Sequence, residues 1–295
     1  MSRKVRKYFS FTAFVLPAFL FYFSLSLLPT MQGLFYSFTN WHFMNPKYGF
    51  VGLQNFINIF TKDRYFVMAL KNTFKLVAAL VILQPLIALL LALMIEACAK
   101  WLQKIFRTVI FVPYMISTIV GTFMWSFVFR QVFTQIGSSI PLLGFLNQSW
   151  LSNVDLAFWS IIIVSLWHGT PLLMVIFLAG LAGVPVQLKE AAVIDGAKPS
   201  QVFWHIKLPL IFYSLTICMF LTIKDAFKSY EIVYALTGGG PGWATQVMTL
   251  NIFEEAFSGN YMFGYASAKA VVFLLIVLVF TVAQLLLMKR REVEL

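Results

Sequence analysis

Charge is what this chain has least of. Asp, Glu, Lys and Arg make up only 11% of its 295 residues, while 60% are hydrophobic. Soluble domains carry about 25% charged residues, so a water-soluble globule is excluded, and a mean hydropathy of +0.84 agrees. Cysteine is nearly absent. Cys98 and Cys218 stand far apart, in or beside apolar runs, and neither belongs to a CxxC or a Cys/His ligand set. Both read as small packing residues, and no metal site is expected. No GxxxxGK[ST] occurs, and the glycine-rich "TGGGPGWAT" has no lysine at the phosphate position, so no ATP-hydrolysing site is expected. HExxH and GxSxG are missing too, and His42, His168 and His205 fall in three separate segments, which argues against an intramembrane enzyme. The net charge is +11, but Lys and Arg sit in short clusters between apolar runs. That is not the single basic face a nucleic-acid partner requires.

Long apolar runs are what the chain does have. A bilayer core takes roughly 20 apolar residues per helix, and six stretches qualify, at about 10–30, 73–95, 106–129, 156–182, 208–228 and 264–288. The first begins like a secretory signal but continues to about Leu28 without a small-residue cleavage site, so a retained span is expected. The expectation is an all-α integral membrane protein with six transmembrane helices and one polytopic domain, 1–295. Within it, 1–70 holds the first span and an outer loop, and 71–290 a five-span core. Orientation follows from basic residues in the loops. Arg3, Lys4, Arg6 and Lys7 open the chain; Lys100, Lys104 and Arg107 follow the second span; Lys189, Lys198 and Lys207 follow the fourth; Lys289, Arg290 and Arg291 close it. Loops 131–155 and 229–263 hold no Lys or Arg, while the long loop 39–71 is the exception, with Lys47, Lys62, Arg64 and Lys71. Both termini are therefore expected on the cytoplasmic side.

One stretch between the fourth and fifth spans is amphipathic, "LKEAAVIDGAKPSQVFWHIKLP". Leu188, Ala191, Ala192 and Asp195 recur at i, i+3, i+4 and i+7, which predicts a short helix over 187–195. Gly196 supplies the positive φ that ends it, and Pro199 opens a second helix whose apolar face is Val202, Phe203 and Ile206. An interfacial helix resting on lipid favours Lys and Arg opposite large apolar residues. Glu190-Ala191-Ala192 and Asp195-Gly196-Ala197 suit close docking of another protein better.

"EAAVIDGA", followed at fixed spacing by Phe203, Ile206 and Leu208-Pro209, resembles the EAA signature of ABC-importer permease subunits, most of all the sugar-type relatives of the maltose permease. "VGLQNFINIF" (51–60), "ALKNTF" (69–74), "FVPYMIS" (111–117), "YALTGGGPGWATQVMTLNIFEEAF" (234–257) and "GYASAKA" (264–270) agree, so the resemblance covers essentially the whole chain. One departure is Tyr213, standing where many members have a second proline after "LP". The resemblance implies a type I ABC importer permease fold in a bacterial or archaeal cell membrane. It implies that the loop 187–209 is the coupling element docking on a cytoplasmic ATPase, with Glu190, Ala191, Ala192, Asp195, Gly196 and Ala197 in contact. It also implies as partners a second homologous permease, an ATPase dimer that binds ATP and Mg, an extracytoplasmic solute-binding protein and a carbohydrate. No cofactor is expected on this chain, and the glycine-rich loop reads either as a tight turn or as a contact for the binding protein. A glycerol-3-phosphate permease and an ATP-independent secondary transporter are the alternatives.

Two polar stripes interrupt the spans. Ser165, His168 and Gly169 fall at i, i+3 and i+4, and Thr222, Asp225 and Ser229 at i, i+3 and i+7, each set on one helix face. An intramembrane acid is a functional-site hypothesis, against which Asp225 could simply pair with Lys228. The resemblance implies that these six residues line the solute pathway, because relatives of the maltose permease line it with the helices flanking the EAA loop. There Asp225 would accept from sugar hydroxyls, His168 would donate or accept, and Gly169 would admit the ring to the backbone. Lys269, near the end of the last span, is expected to snorkel to the interface.

Overall fold

The computed structural model describes residues 3–45 and 47–289; Arg290 and Arg291 lie outside the described residues. Helices account for almost all of it. First come α1 (Arg3–Tyr22) and α2 (Leu28–Tyr36), joined through a wide π-turn at Phe23–Leu27, then α3 (Gln54–Thr61) and α4 (Arg64–Glu96). Next are α5 (Lys100–Met115), α6 (Thr118–Phe127), α7 (Phe133–Ser139) and α8 (Val154–Ala182). The amphipathic stretch forms α9 (Val186–Ile194), α10 (Pro199–Val202) and α11 (Leu208–Leu210). The rest is α12 (Phe212–Phe227), α13 (Tyr230–Leu236), α14 (Met248–Phe257) and α15 (Phe263–Lys289). Among the described residues the only β pairing is two isolated bridges, Thr39 with Phe50 and His42 with Asn45.

Four helical runs are long and apolar enough to cross a bilayer: Phe14–Tyr36, Arg64–Glu96, Val154–Ala182 and Phe263–Lys289. Two further crossings are bent, Lys100–Met115 with Thr118–Ser139 by 95° and Pro199–Leu210 with Phe212–Phe227 by 67°. Six crossings result if each bent pair counts as one. The third and fifth expected spans are thus not straight rods. In the third, Ile116 and Ser117 take extended backbone (ψ 139 and 132) just after Pro113, and a proline inside a helix removes one hydrogen bond and crowds the preceding turn. In the fifth the bend falls at Ile211, two residues past Pro209 and two before Tyr213. One proline therefore accompanies a bent fifth span, and Tyr213 stands largely exposed beyond the bend.

Contacts divide the chain into two units, 1–66 with 252–275, and 67–251 with 276–295. In the larger, Ala88, Ala92 and Ile95 of α4 bury against Leu173, Met174, Phe177 and Leu181 of α8, with Val184, Ile211 and Cys218 completing the cluster. Small alanines on α4 are what let the large α8 side chains approach. In the smaller, the Asn55 amide donates to Ser37 O and Thr39 O at 2.9 and 2.8 Å. Gly264 leaves no room for a side chain there: an added Cβ would lie 2.9 Å from Trp41 N and closer still to Thr39 O.

Candidate functional site

The two polar stripes face one cavity of about 310 Å³. Ser165, His168, Gly169, Thr222, Asp225 and Ser229 all line it. Its remaining polar wall comes from Gln84 of α4, Tyr114 of α5, Thr118 of α6, Lys228 and, from α13, Glu231. Of these five, only Lys228 was considered from the sequence, as a partner for Asp225. Gln84 was the most legible of them, a lone amide beside Pro85 in an apolar run.

The hydrogen-bond state of each lining group fixes what it can offer. Ser165 Oγ donates to Ile161 O at 2.7 Å and Thr222 Oγ1 to Cys218 O at 2.9 Å. Their protons are spent on their own helices, so each hydroxyl presents lone pairs. Ser229 Oγ is buried without a protein partner. His168 Nε2 lies 3.1 Å from Ile116 O, the carbonyl left open where the third span breaks. A carbonyl only accepts, so Nε2 carries the proton there and Nδ1 is left as an acceptor. The expectation that His168 is free to play either role is corrected accordingly. Asp225 lies 3.1 Å from Lys224, not Lys228, and both side chains are about half exposed, so the pair is weak. Gly169 also differs from expectation. The space its missing Cβ leaves is filled by the Gln84 side chain, so the glycine is a notch that keys α4 into α8.

The amphipathic stretch folds as a helix, a turn and a second helix. Gly196 takes φ 78, a left-handed conformation that costs an L side chain roughly 1–2 kcal/mol. Around it Ala197 N–H reaches back to Ala192 O at 2.9 Å, closing α9. Gln201 Oε1 accepts from Lys198 N–H at 2.8 Å and starts the second helix. Glu190, Ala191, Asp195 and Gly196 are exposed, Ala192 and Ala197 half-buried. Val193 and Ile194 stand out beside them at 64% and 85% exposure, so the hairpin's outer face is apolar ground with two carboxylates on it.

The glycine-rich loop is tight. Gly238, Gly239 and Gly242 all have positive φ, and the Gly240–Pro241 bond is cis. Thr245 Oγ1 donates to Gly240 O at 2.6 Å. The loop is tied to α4 where Asn72 Nδ2 donates to Gln246 O at 3.1 Å and Met248 N–H donates to Thr73 Oγ1 at 2.9 Å. Two stretches far apart in sequence, "ALKNTF" and "GGGPGWATQVM", are one structural piece.

Lys269 does not snorkel. It is 1% exposed, with Nζ 2.8 Å from Asp63 Oδ2 and 2.7 Å from Glu255 Oε2. Tyr265 Oη donates to Asp63 Oδ2 at 3.1 Å. Snorkelling needs a free path to water, and two carboxylates hold the ammonium instead. Burial would raise the Asp63 carboxyl; hydrogen bonds from Lys269 and the Phe66 N–H, with the Lys269 charge and the Tyr265 hydroxyl, outweigh it and hold it below its ordinary value. Among the described residues no group of His, Cys, Asp and Glu is arranged to hold a metal ion.

Residues 84–293 match the family described as "Binding-protein-dependent transport system inner membrane component". The chain is 33% identical over 296 residues to the multiple sugar-binding transport system permease protein MsmF of Streptococcus mutans, covering 99% of each. It is 34% identical over 281 residues to a probable starch degradation products transport system permease protein, AmyD, of Thermoanaerobacterium thermosulfurigenes, covering 95% of this chain and 94% of that one. Its fold matches a bacterial ABC transporter involved in the import of the acidic polysaccharide alginate, with a TM-score of 0.84, 20% identity and 98% of each chain covered. With four apolar crossings and two bent pairs that bring the number to as many as six, a helical hairpin after the fourth of these, and a family match over most of its length, this chain belongs to the inner membrane components of binding-protein-dependent transport systems, and is a multi-pass transport subunit rather than an enzyme.

Proposed function

We propose that this subunit, with a second homologous permease, forms the pathway of an ATP-driven importer for a neutral oligosaccharide. An extracytoplasmic binding protein delivers the solute, and a cytoplasmic ATPase dimer, which binds the ATP and Mg, drives the cycle. The observation that carries this reading is the convergence of six residues from both sides of the hairpin on one cavity. Lone pairs on Ser165 and Thr222, the open Ser229 hydroxyl and the Asp225 carboxylate suit the hydroxyl donors of a sugar. The charges on the wall are mixed, Asp225 and Glu231 against Lys228. That gives an anion such as glycerol-3-phosphate no excess of positive charge to bind, so the neutral solute is favoured. At about 310 Å³ the cavity is at the small end of ligand sites, which fits one wall of a path shared with a second subunit.

The basic clusters at both ends of the chain and in the hairpin support a cytoplasmic position for both termini and the hairpin. There Glu190, Ala191, Ala192, Asp195, Gly196 and Ala197 meet the ATPase. The test is uptake into proteoliposomes holding both permeases and the ATPase, with the binding protein outside. A labelled neutral oligosaccharide is expected to accumulate with ATP, and the isolated chain is expected to move none. Uptake by the isolated chain, or of glycerol-3-phosphate in place of the sugar, contradicts the proposal.

A further inference from the structure

The hairpin and the cavity are separate places, and α4 passes both. Its last residue, Glu96, lies between the two limbs of the hairpin. Oε1 is 3.3 Å from Lys189 Nζ on α9, and Oε2 is 2.7 Å from Lys207 Nζ on the return limb. Lys189 is next to Glu190 in the chain, but Lys189 is half-buried and Glu190 is exposed. One carboxylate thus ties both limbs from behind while the outer face stays free. The end of α4 is itself fixed. Gln103 Nε2 donates to Glu96 O at 3.2 Å and to Cys98 O at 2.9 Å, satisfying carbonyls that a helix C-terminus leaves open. Ala92 and Ile95 lie in the apolar cluster with Val184 and Ile211, which flank the hairpin on either side.

From Glu96 the helix runs back toward Gln84, about 18 Å away at 1.5 Å per residue. No glycine or proline interrupts it from Leu86 to Glu96. The one missing backbone donor, Pro85, sits beside Gln84, so the rod is stiff from the hairpin up to the cavity wall and free to bend at the wall. Gln84 fills the notch at Gly169, so α4 cannot shift there without moving Gln84 against α8.

We propose that Glu96 is a positioning residue for coupling: it clamps both limbs of the hairpin to α4, and α4 carries their displacement to the cavity through Gln84. This rests on the importer reading above. Among the described residues the Glu96 carboxylate is the acid paired with both lysines, and a flexible attachment would let the hairpin move without the rod.

The complete reconstituted complex tests it. Glu96→Gln is expected to assemble with the ATPase and hydrolyse ATP at the basal rate, while solute moved per ATP falls about tenfold, within the usual range of coupling between sites. Glu96→Asp restores part of the ratio. Lys207→Met lowers the ratio alone, and adding Glu96→Gln to it lowers the ratio little further, because both act through one contact. An unchanged ratio in Glu96→Gln overturns the clamp, as does a loss that adds fully to that of Lys207→Met. So does loss of ATPase binding in step with transport, which marks a folding role. A wild-type complex that hydrolyses ATP and moves no oligosaccharide contradicts the importer reading instead. The clamp is then read from stimulation of the ATPase by the binding protein, which Glu96→Gln must abolish.

Discussion

Two ion clusters in this molecule are opposites in composition and in exposure. At the hairpin one carboxylate, Glu96, holds two lysines, with side chains 21–27% exposed. In the smaller unit one lysine, Lys269, holds two carboxylates, with side chains 1–12% exposed. Water reaches the first, so its pairs are cheap to form and to part. The second is dry, and removing one partner leaves charge that nothing solvates. The first is suited to an element that has to move, the second to one that has to stay. The neighbourhoods agree. In the smaller unit the Trp41 and Phe263 rings lie 4.9 Å apart and the backbone at Thr39 and Trp41 leaves no room for a Cβ on Gly264; the hairpin leaves Val193, Ile194 and Trp204 exposed.

The comparison breaks most readily at the buried cluster. Lys269→Met is expected to cost about 3–5 kcal/mol, since it strands two carboxylates. Thermal unfolding of the purified complex reads it, and adding Asp63→Asn and Glu255→Gln is expected to recover much of the loss. Next in size is Gly264→Ala, whose Cβ would press on Thr39 O and Trp41 N; overpacking of this kind costs about 1–3 kcal/mol. Glu96→Gln sharpens the contrast from the other side. Its effect on the melting temperature is expected to be that of part-exposed pairs, about 0.2–1 kcal/mol each, although its effect on coupling is large. A loss as great as that of Lys269→Met would erase the distinction between the clusters.

The smallest effect is with pH. The folded state holds the Asp63 carboxyl below its ordinary 3.8, so the unfolded chain binds more protons at acid pH. The stabilisation is whole above 3.8 and is lost as pH falls through the folded-state value. Melting temperatures should show this loss in acid for the wild type, and Asp63→Asn should lack it.

The hairpin was legible in the sequence because its signals are local. Gly196 and Pro199 punctuate it, and α9 came out one residue earlier at each end than the spacing predicts. The two polar stripes were legible for the same reason, since i, i+3 and i+4 fix a face without knowledge of neighbours. What faces them was not. Gln84, Tyr114 and Thr118 reach the cavity from other helices, and Gly169 changes meaning once Gln84 occupies its notch. Lys269 was misread because hydropathy gives a residue its depth but not its company; Asp63 belongs to the loop before α4 and Glu255 to α14. The break in the third span, and the exact place of the bend in the fifth, were not legible because an apolar run looks the same bent or straight. Pro113 and Pro209 were the available signs.

The central claim is that the cavity lined by both polar stripes is the solute path and opens and closes with the hairpin. The most direct measurement is thiol labelling of Ser229→Cys in a complex whose Cys98 and Cys218 are replaced, using a membrane-impermeant reagent. The account predicts that labelling slows when the binding protein delivers sugar, and that its rate changes when the ATPase is trapped with nucleotide. A rate unaffected by both would contradict it.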